Sequence, residues 1–131
     1  MKAKSVLVDS HALLWFVFDD PRLSKKAAGV FDDPKIEKVF SMASLWEIAT
    51  KIALGKLCLG VSFDNFVREV WTESSYPKLG IEAHHIEQYV KLPFHHRDPF
   101  DRLLIGQAIV ERLAILSADE YFKKYDLEVV W

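Results

Sequence analysis

The stretch DPFDRLLIGQAIVERLAILS, residues 98–117, decides the fold class. Asp98 followed by Pro99 is a helix start: an N-cap acceptor, then a residue whose fixed φ and missing N–H suit the first helical position. Phe100, Leu104, Ala108 and Ile109 recur at helical spacing, which predicts a helix to about Arg112. Leu113–Ser117 follows at once as a short apolar strand. A helix running straight into a buried strand is the repeating unit of an α/β protein.

The same alternation extends in both directions. Ser5–Asp9 (SVLVD) reads as a buried strand ending on a carboxylate, and His11–Phe18 as a helix closed by Asp19-Asp20-Pro21. Ser24 caps a helix over Lys25–Phe31, and Ile36–Ser41 is a second strand. Ser44-Leu45-Trp46-Glu47 matches a capping box opening a helix to Leu54, where Gly55 stops it. Ser62 caps a helix over Phe63–Glu73, and Tyr76–Ile81 is extended. A helix over Ala83–Lys91 is expected to turn Ile86, Val90 and Tyr89 inward. Leu92–Arg97 is a loop, Asp119–Lys124 a short helix and Leu127–Val130 a last strand. The pattern predicts one domain over residues 1–131, an α/β sandwich on a mainly parallel sheet.

Composition excludes several classes. With 50% hydrophobic and 27% charged residues among 131, the chain can bury a core and is no disordered segment. The longest apolar run, Ala12–Phe18, is far short of the ~20 residues a bilayer span needs. Lys2 and Lys4 ahead of an apolar stretch imitate a signal peptide, but Asp9 and His11 interrupt it. The lone Cys58 permits no intrachain disulfide and fits a reducing, intracellular location. A formal charge of −2 argues against nucleic-acid binding by bulk electrostatics, although a sum can hide a local acidic cluster.

Acids are the candidate chemistry. In an open parallel sheet, ligands bind beyond the carboxyl ends of the strands. Asp9 closes the first strand and Asp119 follows the strand ending at Ser117, while Glu47, Asp98 and Asp101 stand early in helices. Each has an ordinary alternative. Asp9, Asp98 and Asp119 suit helix caps, Asp101 suits the third position of a capped helix, and Glu47 suits a capping box or a pair with Lys51. However, Asp9 and Asp101 are embedded in apolar sequence, and an unpartnered buried charge is costly. A divalent cation would satisfy them. Oxygen-only ligands favour a hard ion, Mg²⁺ or Mn²⁺. His84-His85 and His95-His96 lack the i, i+4 spacing of a helical zinc site and are expected on surfaces or loops, with His95 or His96 near substrate. No dinucleotide, P-loop or nucleophile-elbow motif is present, and Ser10 beside His11 does not make a triad.

VDSHALLW at 8–15, SLWEIATKIALGKL at 44–57, LPFHHRDPFDRLLIGQA at 92–108 and ILSADEYFKKY at 115–125 together resemble the PIN domains, specifically VapC-type toxins of toxin–antitoxin pairs. The resemblance implies a PIN-like three-layer sandwich and a cytoplasmic, Mg²⁺- or Mn²⁺-dependent endoribonuclease. Its acids fall on Asp9, Glu47, Asp101 and Asp119, with Asp98 able to share the third role. Ser10 and Ser117 stand where threonine is common and keep a hydroxyl, as accessory candidates. Gly106 replaces a common alanine, which loosens its helix by ~1 kcal/mol. The expected chemistry is in-line attack of water on an RNA phosphodiester. Asp9 and Asp101 ligate directly, Asp119 directly or through water, and Glu47 holds a second metal or orients water. A small antitoxin is the implied partner, DNA binding belongs to the complex, and a homodimer is expected through exposed aromatics among Trp15, Phe16, Trp46 and Trp71. The residues that would bind RNA are not legible. Two other classes compete: a PIN-like module that binds RNA or a partner without turnover, and a phospho-receiver, which needs an acidic pair where Asp9 stands alone.

Overall fold

The computed structural model describes residues 4–131, so Lys2 of the signal-like N-terminus lies outside it. Five strands form one sheet: β1 (Ser5–Val8), β2 (Glu37–Ser41), β3 (Lys78–Leu79), β4 (Ala114–Leu116) and β5 (Val129–Val130). Their order is β3-β2-β1-β4-β5 and every neighbouring pair is parallel. The central β1 pairs Val8 with Phe40 of β2 on one side and with Leu116 of β4 on the other. This order differs from the 2-1-3-4-5 arrangement of receiver-type sheets.

Among the described residues six α-helices cover the sheet: α1 (Ser10–Val17), α2 (Lys25–Asp32), α3 (Met42–Ala53), α4 (Phe63–Val67), α5 (Ala83–Lys91) and α6 (Pro99–Glu111). Strand residues alternate between two cores, as the period of two requires. Val6, Val8, Phe40, Ala114 and Leu116 pack with Leu13, Val30, Phe31, Ile48 and Phe66 of α1–α4. Leu7, Val39 and Ile115 face the opposite side, against Leu104, Ile105 and Ala108 of α6 and Phe122 and Tyr125 beyond β4. These two cores make a three-layer sandwich, as expected. No helix among the described residues is long and apolar enough to cross a membrane.

Three local expectations change. α1 begins at Ser10, one residue early, because Asp9 accepts from the Ser10 N–H as N-cap. α3 begins at Met42, with Ser41 accepting from Ala43 N, so the capping box over Ser44–Glu47 does not form. β2 runs into α3 with no loop, which moves Ser44 and Glu47 into the helix body, where both are buried. On α5 the inward side chain is His85, fully buried, while Ile86 and Val90 are 51% and 76% exposed. His85 is accommodated by hydrogen bonds: its Nδ1 accepts from Glu82 N at 2.9 Å, so Nε2 carries the proton and meets Glu111 Oε2 at 2.9 Å. Gly106 allows this packing. A Cβ there would lie 3.1 Å from the His85 carbonyl oxygen, so the glycine lets the α5 backbone approach α6 closely.

Candidate functional site

β1 and β4 are neighbours in the sheet although β2 and β3 intervene in the chain, so the strand order switches direction between them. The crevice beyond their carboxyl ends is where open α/β sheets bind ligands. Asp9 is the first residue past β1 and Ser117 the first past β4, and both are buried. The Asp9 carboxylate accepts from Ser10 N at 2.7 Å through Oδ1 and from Ser117 Oγ at 2.8 Å through Oδ2. Ser117 Oγ in turn accepts from Asp119 N at 3.0 Å. The serine hydroxyl therefore joins the two strand-end acids.

α3 and α6 bring two more carboxylates. Glu47 is buried on α3, where its Oε1 accepts from Ser10 Oγ at 2.5 Å and its Oε2 pairs with Lys51 Nζ at 3.0 Å. Asp101 is in the first turn of α6. One oxygen from each of Asp9, Glu47 and Asp101 lies within 4.8 Å of the others. Asp98 and Asp119 lie outside this trio. Asp98 is the exposed N-cap of α6 and accepts from Phe100 N and Asp101 N at 2.9 and 3.0 Å. Asp119 accepts from Tyr121 N at 2.9 Å. Both border an open cleft of about 780 Å³ together with Asp101, and Phe94, His95, Arg97 and Tyr121 also line it.

The electrostatics are those of crowded anions. Burial, then the charges of Asp9, Asp98, Glu47 and Asp119, push the Asp101 carboxyl up to about 9. Burial also raises Asp9; His11 and Ser117 counteract this and Glu47 adds to it. Partial burial disfavours the Lys51 ammonium, but pairing with Glu47 and the charges of Asp98 and Asp101 raise it overall. One ammonium thus faces three packed carboxylates. A hard divalent cation fits this donor set on two grounds: the ligands are oxygens, and Asp101, pushed up to about 9, holds a proton at neutral pH that a stronger charge would displace.

Sequence reasoning underrated two histidines. His11 sits with Nδ1 3.1 Å from Asp9 Oδ2. His96, expected on the surface or a loop, is largely buried in its loop, with Nδ1 2.8 Å from Tyr125 OH and Nε2 3.6 Å from Asp101 Oδ2. Burial pushes its imidazole below the ordinary range. The available signals were position two after a strand-end acid for His11 and position five before an acid for His96. The trio His84, His85 and Glu111 also brings ligand atoms within 4.8 Å. There the His85 Nδ1 lone pair is already committed to Glu82 N–H and Nε2 bears the proton, so the trio is a hydrogen-bond cluster.

Comparison with known proteins adds to this geometry. The family model described as PIN domain matches residues 6–128. FitAcB from Neisseria gonorrhoeae superposes with a TM-score of 0.69 at 15% identity, covering 95% of each chain. VapBC2 from Rickettsia felis, bound to a DNA fragment from its promoter, gives 0.66 at 14%, covering 95% of this chain and 96% of that one. A toxin–antitoxin complex from Klebsiella pneumoniae gives 0.66 at 15%, covering 96% of each. At these identities the likeness is one of fold. No curated protein matches the sequence.

Proposed function

The chain belongs to the PIN domain family, and from that premise we propose that it is a Mg²⁺- or Mn²⁺-dependent endoribonuclease, the toxin of a toxin–antitoxin pair, formed by one domain over residues 1–131. The observation that carries this reading is the meeting of Asp9, Glu47 and Asp101 within 4.8 Å at the strand-order switch, with Lys51 the ammonium paired there. Asp9 and Asp101 hold the cation, Glu47 holds it or a second one, and Asp119 reaches it from the cleft. Ser117 aims Asp9 and Ser10 aims Glu47 through the hydrogen bonds they donate. A bound divalent ion supplies Lewis-acid activation of a phosphodiester and of the water that attacks it. The chain's own part is to hold the carboxylates in place. Arg97 and His95 at the cleft suit phosphate contact, and the rings of Phe94 and Tyr121 suit contact with unpaired bases.

The Klebsiella relative is a toxin–antitoxin complex and the Rickettsia VapBC2 structure holds promoter DNA, which supports an antitoxin as partner and DNA contact through the complex. A homodimer is supported by an apolar hollow between α3, α5 and α6, lined by Trp46, Ile86, Tyr89, Pro99 and Leu103. Trp46 is 56% exposed there, whereas Phe16 and Trp71 are partly buried against the core and Trp15 is half-buried beside His11 and Trp131. Sedimentation should give twice the 15.1 kDa chain mass, and Ile86→Glu should return the monomer.

The deciding experiment is RNA cleavage by antitoxin-free protein in Mn²⁺, Mg²⁺ or EDTA, beside an Asp9→Asn protein purified identically. Cleavage that needs metal and disappears in the variant is the expected result. Equal cleavage by both proteins would overturn the site. RNA binding without turnover would favour a binding module.

A further inference from the structure

His11 touches two different segments of the proposed cation site with its two ring nitrogens. Nδ1 lies 3.1 Å from Asp9 Oδ2, and Nε2 accepts from the backbone N–H of Ala118 at 3.0 Å. A peptide N–H only donates, so Nε2 is the acceptor and the ring proton sits on Nδ1, directed at Asp9. The next peptide N–H, that of Asp119, donates to Ser117 Oγ, which donates to the same Asp9 oxygen. Asp9 Oδ2 thus receives two donors, both tied to the turn that carries Asp119. Trp15 and Trp131 pack beside the imidazole, with ring centroids 4.9 and 5.9 Å away.

We propose that His11 is a positioning residue for the cation site. It aims Asp9 Oδ2 and clamps the Ala118 peptide, so the acid of β1 keeps its place relative to the turn bearing Asp119. The proposal rests on the metal-dependent nuclease reading above. The residue type follows from the two tasks. A lysine or arginine would donate to Asp9 but not accept from Ala118, and its charge would compete with the cation. A serine hydroxyl is too short to bridge both. The neutral Nδ1–H tautomer does both and leaves the carboxylate charge for the ion. Partners of metal-ligating side chains commonly contribute 10–100-fold in metal affinity.

The test is Mn²⁺ titration calorimetry on the full chain without RNA, with His11→Asn, His11→Gln and His11→Ala, each melted by circular dichroism in EDTA. Asparagine places an N–H where Nδ1 stands, and glutamine places an acceptor where Nε2 stands. His11→Asn, which keeps the donor to Asp9 but not the clamp on Ala118, should weaken Mn²⁺ binding about 3-fold, His11→Gln about 10-fold, and His11→Ala, which loses both contacts, more than about 10-fold. Cleavage by His11→Gln should recover as Mn²⁺ is raised. Wild-type affinity in His11→Gln and His11→Ala with only a lowered Tm would overturn the proposal. Equal weakening in His11→Asn and His11→Ala would also overturn it, since the donor to Asp9 would then not matter. Should His11→Ala not fold, the Asn and Gln pair decides. No Mn²⁺ uptake by the wild type would overturn the cation reading itself, a result distinct from uptake that ignores His11.

Discussion

Asp101→Asn is expected to abolish RNA cleavage while stabilising the metal-free fold at alkaline pH. The loss should be about 10³-fold or more, equivalent to about 4 kcal/mol of barrier, because the variant keeps the shape of the side chain but not its charge. The stability effect has the opposite sign. The Asp101 carboxyl is raised to about 9 by burial and by Asp9, Asp98, Glu47 and Asp119, against an ordinary 3.8. Between those values the folded protein holds a proton that the unfolded chain has released. Stability present at low pH is therefore lost as pH rises through this window, by at most about 1.4 kcal/mol per pH unit for one proton. In EDTA, the wild-type Tm should fall from pH 5 to pH 9. The Asn variant cannot ionise there and should fall less, overtaking the wild type at the alkaline end. Mn²⁺ should raise the wild-type Tm more at pH 7 than at pH 5, where protons compete, and should leave Asp101→Asn little changed. Melts at three pH values with and without Mn²⁺ check all of this. A wild-type Tm independent of pH and of Mn²⁺ would remove the carboxylate cluster as a cation site.

Arg102→Met is expected to cost about 3 kcal/mol of stability, the largest single effect away from the acids. Arg102 is 1% exposed and, among the described residues, pairs with no carboxylate. Its guanidinium donates to the carbonyls of Pro93, Tyr89 and Leu92 at 2.9, 3.3 and 3.4 Å, and to Tyr125 OH at 3.4 Å. Tyr89 and Leu92 end α5, so the cation caps the negative end of that helix. It also lies 4.0 Å from the Phe94 ring centroid. Methionine retains the apolar stem but removes the donor to the carbonyls of Pro93 and Leu92, the latter buried. Lysine cannot reproduce the planar fork, so Arg102→Lys should recover only part of the loss. Thermal melts should show a Tm about 10 °C lower for Arg102→Met. Cleavage should fall too, since Arg102 braces the loop carrying Phe94, His95 and His96. A Tm within 2–3 °C of wild type, a shift worth less than about 1 kcal/mol, would contradict this account.

Local sequence accounts for much of this fold. Asp98-Pro99 does open α6, Ser24 and Ser62 do cap helices, and the apolar runs near Val6, Val39 and Ile115 are strands. Each of those signals is carried by neighbouring residues, through a cap, a period or a β-branched run. α5 misleads for the same reason. Its apolar residues Ile86 and Val90 face out, while His85 turns inward, because the N–H of Glu82 at its own N-cap, together with Glu111 and the space at Gly106 on α6, accommodates the imidazole. The acids were visible as candidates one by one, each with an ordinary capping alternative, and the family resemblance alone gathered them into one set.

The sequence by itself determined the alternation of strands and helices, hence the α/β class, and the identity of the acids at element ends. These are properties of short windows in which capping and hydrophobic period dominate. Only the tertiary structure decided that Asp9, Glu47 and Asp101 meet while Asp98 and Asp119 stand apart, and that His11 bridges β1 and the turn after β4. Those facts depend on strand order and on helix packing across the sheet. Two free energies of burial, one for apolar surface and one against unpaired charge, had to be satisfied together by residues distant in the chain.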